Sequence, residues 1–237
     1  MLKSIKRINT LRGLKKDIRN LYKEFLRLKR KKLINEYINT HAITKLHLGS
    51  NKTLLDGWLC SDIWPLNNKS IFLDVTKKFP FNDETFDYIF SEHLIEHLTQ
   101  EDALNMLNEC FRIMKKGARI RIGTPDLEVI LKLYHEKNHD FGKEYIKWSM
   151  NNFSNNIIGY SSVVVMNIIF HNWGHQFLYD LEFLNETLHK CGFENVEKQL
   201  ISNSNDINLQ NIERHHENVG NFEMIEFETL VIEALKK

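Results

Sequence analysis

The residues best suited to chemistry stand at the ends of short apolar runs. Leu46-His47-Leu48 leads into Gly49-Ser50-Asn51, and a glycine there lets the backbone approach a ligand with no Cβ in the way. A second run ends at Asp62, whose carboxylate can accept both hydroxyls of a ribose. A third ends at Asp74-Val75, where an acid can accept from an adenine amino group while an apolar neighbour flanks the ring. Each of these residues alone is common in turns and caps. Their occurrence at three successive ends is what suggests a nucleotide-like ligand.

Two histidine groups add to this. His93-x-x-Glu96-His97 has the shape of an inverted zinc-protease motif, two histidines with an acid between them. Such a site needs a third protein ligand and an open water position, and no partner motif supplies one, so no metal is assigned. A zinc-dependent hydrolase is the remote alternative, and His97 reads as a histidine packed under the sheet edge. His171, His175 and Tyr179 lie close together in the chain. A neutral histidine can take the proton of an acceptor hydroxyl, and Tyr179 can hydrogen-bond the acceptor. The competing reading makes Trp173, Phe177 and Tyr179 core aromatics, with the histidines satisfying backbone groups. His215-His216, in an Asn-rich stretch, reads as solvated surface.

Such residues need a sheet to present them. The apolar runs read as buried strands near 45–49, 58–62, 70–75, 86–91 and 118–124. Between the last two, Thr99-x-x-Asp102 starts a capped helix with Ala103, Leu107, Cys110, Phe111 and Met114 on one face, and Gly117 is placed as its C-terminal cap. Asp180 caps a later helix that Gly192 ends, a strand follows from Phe193 to Ile201, and Glu228 to Lys236 makes a last strand. Residues 128–178 mix helical pattern with Asn-rich and aromatic stretches, which suggests an insertion over the sheet that serves partly as a lid. Alternating strands and helices give an α/β fold with an open, mostly parallel sheet and ligands at the carboxyl ends of its strands.

At 237 residues the chain suits one domain, and 42% hydrophobic with 27% charged residues is an ordinary globular composition. Cys60, Cys110 and Cys191 form no C-x-x-C pair, which points to a reducing cytoplasm. No signal peptide or transmembrane span is read. Charge is unevenly spread: residues 1–40 hold 13 Lys and Arg against three Asp and Glu, leaving the rest of the chain at −9. Leu11, Leu14, Ile18, Leu21, Phe25 and Leu28 recur at helical spacing in this basic arm. Its apolar stripe either packs on the body or meets a membrane surface or partner. Nucleic acid is disfavoured by the acidic body.

The ordered series is more specific than any one piece. Leu46-His47-Leu48-Gly49, Asp56 to Asp62, Leu73 to Phe81, Phe86 to Leu98, Phe111 to Gly117, Thr124 to Leu127, Trp173 to Asp180 and Cys191-Gly192-Phe193 resemble the type 11 class I methyltransferases of bacteria over about residues 43–236. The resemblance implies a Rossmann-like sheet with helices on both faces, an N-terminal basic helical arm over 1–40 and a methyltransferase domain over 41–237. It implies S-adenosylmethionine as cofactor, with Leu48, Gly49, Ser50 and Asn51 beside the methionine part, Asp62 at the ribose and Asp74 and Val75 at the adenine. Ser91, Glu92 and His93 would border the sulfonium and the acceptor, with His93, His175 and Tyr179 as catalytic candidates. Where the family usually has Gly-Cys-Gly, this chain has Gly49-Ser50-Asn51, so a binding protein without activity is the alternative. The expected acceptor is a small molecule or glycan, with a sugar hydroxyl favoured. The expected location is cytoplasmic, with the arm holding the enzyme at the inner face of a membrane. The oligomeric state is not legible.

Overall fold

The computed structural model describes residues 21–22, 24–135, 140–155 and 159–237. Seven strands form one sheet: β1 (Lys45–Leu48), β2 (Leu59–Asp62), β3 (Ile71–Phe72), β4 (Phe86–Glu92), β5 (Met114–Pro125), β6 (Glu194–Gln199) and β7 (Thr229–Leu235). Their order is β3-β2-β1-β4-β5-β7-β6. The first five run parallel, and β7 is antiparallel to both β5 and β6.

Alternation along the strands sorts residues between two faces. Leu46, Leu48, Ile89, Ile120, Ile122, Leu230, Ile232 and Ala234 enter the main core with helix α2 (Gln100–Ile113) and helix α6 (Leu181–Lys190). Helix α1, seen over 24–40, adds Ile34 and Tyr37 to that core. Thr99 caps α2 by accepting the Asp102 N–H at 3.1 Å, and Asp180 caps α6 by accepting that of Phe183 at 2.8 Å, both as the sequence indicates. On the other face a smaller cluster forms from Leu55, Trp58, Cys60, Phe90, Leu209 and Ile212. Beside it lies a charged group rather than an apolar one. Arg121, wholly buried, bonds Glu213 and Glu233, each at 2.5 Å, and donates to the carbonyls of Asn203 and Leu200.

Three helices, α3 (Leu127–His135), α4 (Asp140–Phe153) and α5 (Ser162–His171), build a core of their own with Ile130, Leu133, Tyr145, Met150, Val165 and Ile169. Leu178 and Met224 complete it. The short helices α7 (His215–Val219) and α8 (Phe222–Glu228) return the chain to β7.

Two expectations are corrected and one of two alternatives falls away. Gly117 does not cap α2: the helix stops at Ile113, Met114 is already extended, and Gly117, at φ 80°, donates its N–H to the Lys236 carbonyl within β5. The third strand is two residues rather than six, because the chain turns after Phe72 and Asp74 is tied to Thr76. Of the two alternatives for the stripe of the arm, packing on the body does not hold among the described residues: Leu21, Phe25 and Leu28 are 72, 60 and 78% exposed, whereas Leu26, Ile34 and Tyr37 face inward. Leu11, Leu14 and Ile18 lie outside the described residues.

Candidate active site

The carboxyl ends of β1 and β4 open into a cavity of about 300 Å³. Gly49, Ser50 and Asn51 form one wall and Glu92, His93, His97 and Pro125 the floor. Tyr145, Ser149 and Phe153 of α4, Ile169 of α5, and Trp173 and His175 close it from above. His215, Asn218 and Glu228 come from the far end of the chain.

The turn after β1 keeps its function as a close-approach point. Gly49 takes φ 67°, and a Cβ there would come to 3.0 Å from Leu94. Asn51 takes the place of a glycine at φ 48°, a left-handed conformation that asparagine tolerates, and donates its N–H to Asp62 at 2.9 Å. Among the described residues, three of the seven non-glycine residues with positive φ, Asn51, His93 and Trp173, line this one cavity. Backbone strain of this kind concentrates at functional sites. Ser50 is 2% exposed and its hydroxyl has no hydrogen-bond partner. An orphaned donor beside a glycine turn on the cavity wall is what a bound polar ligand would satisfy, so these residues fit the methionine end of S-adenosylmethionine.

The remaining cofactor candidates are spread along the same sheet edge. Leu48 and Ser91 are buried in their strands. Asp62 accepts the N–H groups of Asn51 and Trp64, at 2.9 and 2.7 Å, and so holds the turn as well as ending β2. Asp74 binds Thr76 through one oxygen, and Val75 leans on the main core. Asp62, Asp74 and Val75 lie beyond the cavity wall rather than on it.

The histidines fall into two groups. His93 Nδ1 lies 3.0 Å from Glu96, which is buried and also accepts from Thr124 at 3.1 Å. Burial alone would lower the pKa of His93, but Glu96 overrides it and holds the value at about 9. His215 stacks on His93 with ring centroids 3.9 Å apart, and burial pushes its pKa down to about 3. On the other side His175 meets His97 edge-on at 4.8 Å, and its Nδ1 lies 2.6 Å from the Ile169 carbonyl. A carbonyl only accepts, so Nδ1 carries the hydrogen and the neutral ring keeps its lone pair on Nε2. Burial lowers the His175 pKa below the ordinary histidine value.

Several sequence expectations change here. Tyr179 does not reach the cavity: it is fully buried in the main core against Phe177 and Phe183, with burial raising its pKa to about 12. His171 is exposed and outside the cavity. His97 is not packed away under the sheet but lines the cavity, and His215 is not surface. The inverted zinc-protease arrangement does not form, because Ile95–His97 is a 3-10 turn and His93 and His97 belong to separate clusters. His47, Tyr145, Ser149 and Glu228 were not read from the sequence. His47 sits between hydrophobic strand residues, and burial drops its pKa to about 3, so it lines the cavity as a neutral ring.

Residues 65–122, from before β3 into β5, match the family model described as a methyltransferase domain. The strand order, with its antiparallel seventh strand, is that of a Rossmann-like methyltransferase sheet, and the family match supports methyl transfer from S-adenosylmethionine. No curated protein matches it. Among solved structures it is similar to a methyltransferase of Thermotoga maritima at 16% identity, covering 92% of this chain and 96% of that one, with a TM-score of 0.47. One from Archaeoglobus fulgidus is similar at 17% identity over 91 and 98% of the two chains, also with a TM-score of 0.47. A third, from Mesorhizobium loti, has 12% identity over 82 and 91%, with a TM-score of 0.47. Likeness at this level says nothing of substrate.

Proposed function

We propose that this methyltransferase acts on a hydroxyl of a small polar acceptor, of which a sugar is the favoured class, with His175 as the general base. The observation that carries the reading is the placement of the Gly49–Asn51 turn and His175 on one cavity. S-adenosylmethionine, when bound, supplies a methyl group on a positively charged sulfur that leaves as a neutral thioether. Because the leaving group needs no help, the protein's contribution is to hold acceptor and methyl carbon in line and to exclude water.

The residues divide that work. Gly49 and Asn51 bring backbone close to the methionine end, and Ser50 offers its unpaired hydroxyl there. Asp62 and Asp74 serve the ribose and adenine from the sheet edge, and Ser91 and Glu92 border the reacting end. His175 Nε2 takes the acceptor proton as the new carbon–oxygen bond forms, with Nδ1 anchored on Ile169. Tyr145, Phe153 and Trp173 shield the reacting end from solvent.

The exposed stripe of the arm supports a second reading, contact with an anionic membrane surface. Leu21, Phe25 and Leu28 are free to enter the headgroup region while the surrounding Lys and Arg meet acidic lipid. No helix among the described residues is long and apolar enough to cross a membrane.

Calorimetric titration with S-adenosylmethionine, run beside Gly49→Val, Asp62→Ala and Asp74→Ala, tests the cofactor site. Micromolar binding that each change weakens at least tenfold is expected. Failure of the intact protein to bind would overturn the reading and favour a binding protein that has lost the chemistry. A screen of sugars with radiolabelled cofactor then tests the acceptor class, and labelling confined to amines or thiols would refute the hydroxyl.

A further inference from the structure

His93 is held as a metal ligand is held. Its Nδ1–H is donated to Glu96 at 3.0 Å, and Glu96 is itself fixed by the Thr124 hydroxyl. A carboxylate on one ring nitrogen sets the tautomer that presents the other, which is how metal-binding histidines are oriented. The presented atom, Nε2, is buried and has no hydrogen-bond partner. One ring nitrogen of His93, one of His215 and a carboxylate oxygen of Glu228 lie within 4.8 Å of one another.

Both of those neighbours are also delivered by specific contacts. Glu92 accepts the N–H of Arg214 at 2.8 Å and that of His215 at 3.0 Å, which fixes the start of α7 over the cavity. Glu228 spends one oxygen on the Tyr145 hydroxyl and keeps the other free. Charge points the same way. Glu92, Glu96 and Glu228 crowd this wall, and among the described residues no Lys or Arg pairs with any of them. Grouped carboxylates removed from water require a cation, and the His93 imidazolium, paired with Glu96, is the charge that an entering metal ion replaces.

We propose that His93 Nε2, a ring nitrogen of His215 and Glu228 form a binding site for one divalent transition-metal ion at the floor of the cavity. Two imidazoles and one carboxylate suit Zn²⁺, Fe²⁺, Co²⁺ or Mn²⁺ rather than Ca²⁺ or Mg²⁺, and leave positions open toward the cavity. Ligands about 2.1 Å from one ion stand about 3–3.5 Å apart, so ligand atoms now within 4.8 Å of one another draw together by about an ångström and the stacked rings of His93 and His215 tilt to aim at the ion. The neighbouring group of Glu96, His97 and His175 is the weaker candidate, because both Glu96 oxygens and His175 Nδ1 are already engaged. What the ion does rests on the hydroxyl-methylation reading: an acceptor oxygen bound to it loses its proton to His175 more readily.

The test uses full-length protein stripped with chelator and titrated with Co²⁺, followed by visible absorption, and with Zn²⁺ against a chromophoric chelator. One equivalent bound with micromolar or tighter affinity is expected. His215→Ala and Glu228→Gln should each weaken it at least a hundredfold. Glu96→Gln, which only frees the His93 ring, should weaken it about tenfold to a hundredfold, and the exposed His189→Ala should leave it unchanged. Thermal melting confirms that each variant folds. Absence of stoichiometric binding, or binding unaltered in both His215→Ala and Glu228→Gln, overturns the site. Titration of the stripped protein with S-adenosylmethionine keeps the two ideas apart: loss of cofactor binding with metal binding intact sinks the methyl-transfer reading and leaves the metal site standing.

Discussion

Replacing Arg121 by Met probes the charged group under the sheet. The guanidinium is fully buried and makes four polar contacts, two to Glu213 and Glu233 and two to the Asn203 and Leu200 carbonyls. Methionine fills a similar volume and removes every donor. Breaking a buried ion pair from one side costs about 3–5 kcal/mol, because the remaining charge is stranded. Two carboxylates share this one cation, but each has partial relief: Glu213 accepts the Ser202 N–H at 2.9 Å, and Arg119 stands 3.9 Å from Glu233. The expected loss is therefore about 4 kcal/mol rather than double that figure, a large share of the roughly 5–15 kcal/mol that holds a domain together. Urea unfolding followed by tryptophan fluorescence reads it as a midpoint lowered by about 1–1.5 M at a slope near 3 kcal/mol/M. Adding Glu213→Leu and Glu233→Met should recover at least half of the loss. A midpoint shift below about 0.3 M at unchanged slope, about 1 kcal/mol, would refute the argument.

Other outcomes follow from single contacts. If His175 is the base, kcat/KM should be flat near pH 7 and fall only on acidification through a pKa below the usual 6.5, since protonation removes its lone pair. Besides burial, the groups that set this value are Glu96 and the Ile169 carbonyl, which raise it, and His97 and His93, which lower it. His175→Ala should lower kcat by about 10²–10⁴ with cofactor affinity unchanged; a wild-type rate, or an inflection above pH 6.5, rejects the role. Gly192→Ala places a Cβ 2.9 Å from the Phe111 ring at φ 96° and should cost about 1–3 kcal/mol in the same urea assay; a loss within error would show that Phe111 yields freely. Leu21, Phe25 and Leu28 changed together to Ser should reduce partitioning onto anionic vesicles at least tenfold, with unaltered partitioning ruling out the membrane contact.

The sheet was legible because buried strands and helix caps write themselves locally. Thr99, Asp180 and Gly192 mark boundaries within a residue of where they fall, and each parallel strand is a short apolar run. The turn at Gly49 was legible for the same reason. What escaped is non-local. His215 and Glu228 look like loop and strand-end residues in sequence, and only the return of α7 and α8 over β4 and β5 brings them to the cavity. Tyr179 shares its short segment with His175, yet the bridge between Asp126 and Tyr179 turns it into the core. The arm stayed open between two readings for a different reason. Helical spacing defines a stripe without saying which side meets the body, and Tyr37, whose hydroxyl donates to the Gly57 carbonyl at 2.8 Å, fixes the other side.

Because β7 slots between β5 and β6, β6 cannot join the sheet until the later β7 segment has been made. The sheet can grow from β1 to β5 with each strand adding beside those already formed, but β6 has no neighbour until β7 arrives. Until then β5 presents an open edge with its hydrogen-bonding groups unpaired, the kind of surface on which chains stick to one another. Closing that gap joins segments far apart in sequence, which is the slow kind of step in folding. The same event delivers His215 and Glu228. A newly made molecule therefore passes through a stage in which its Gly49 turn is formed while the opposite wall is still missing.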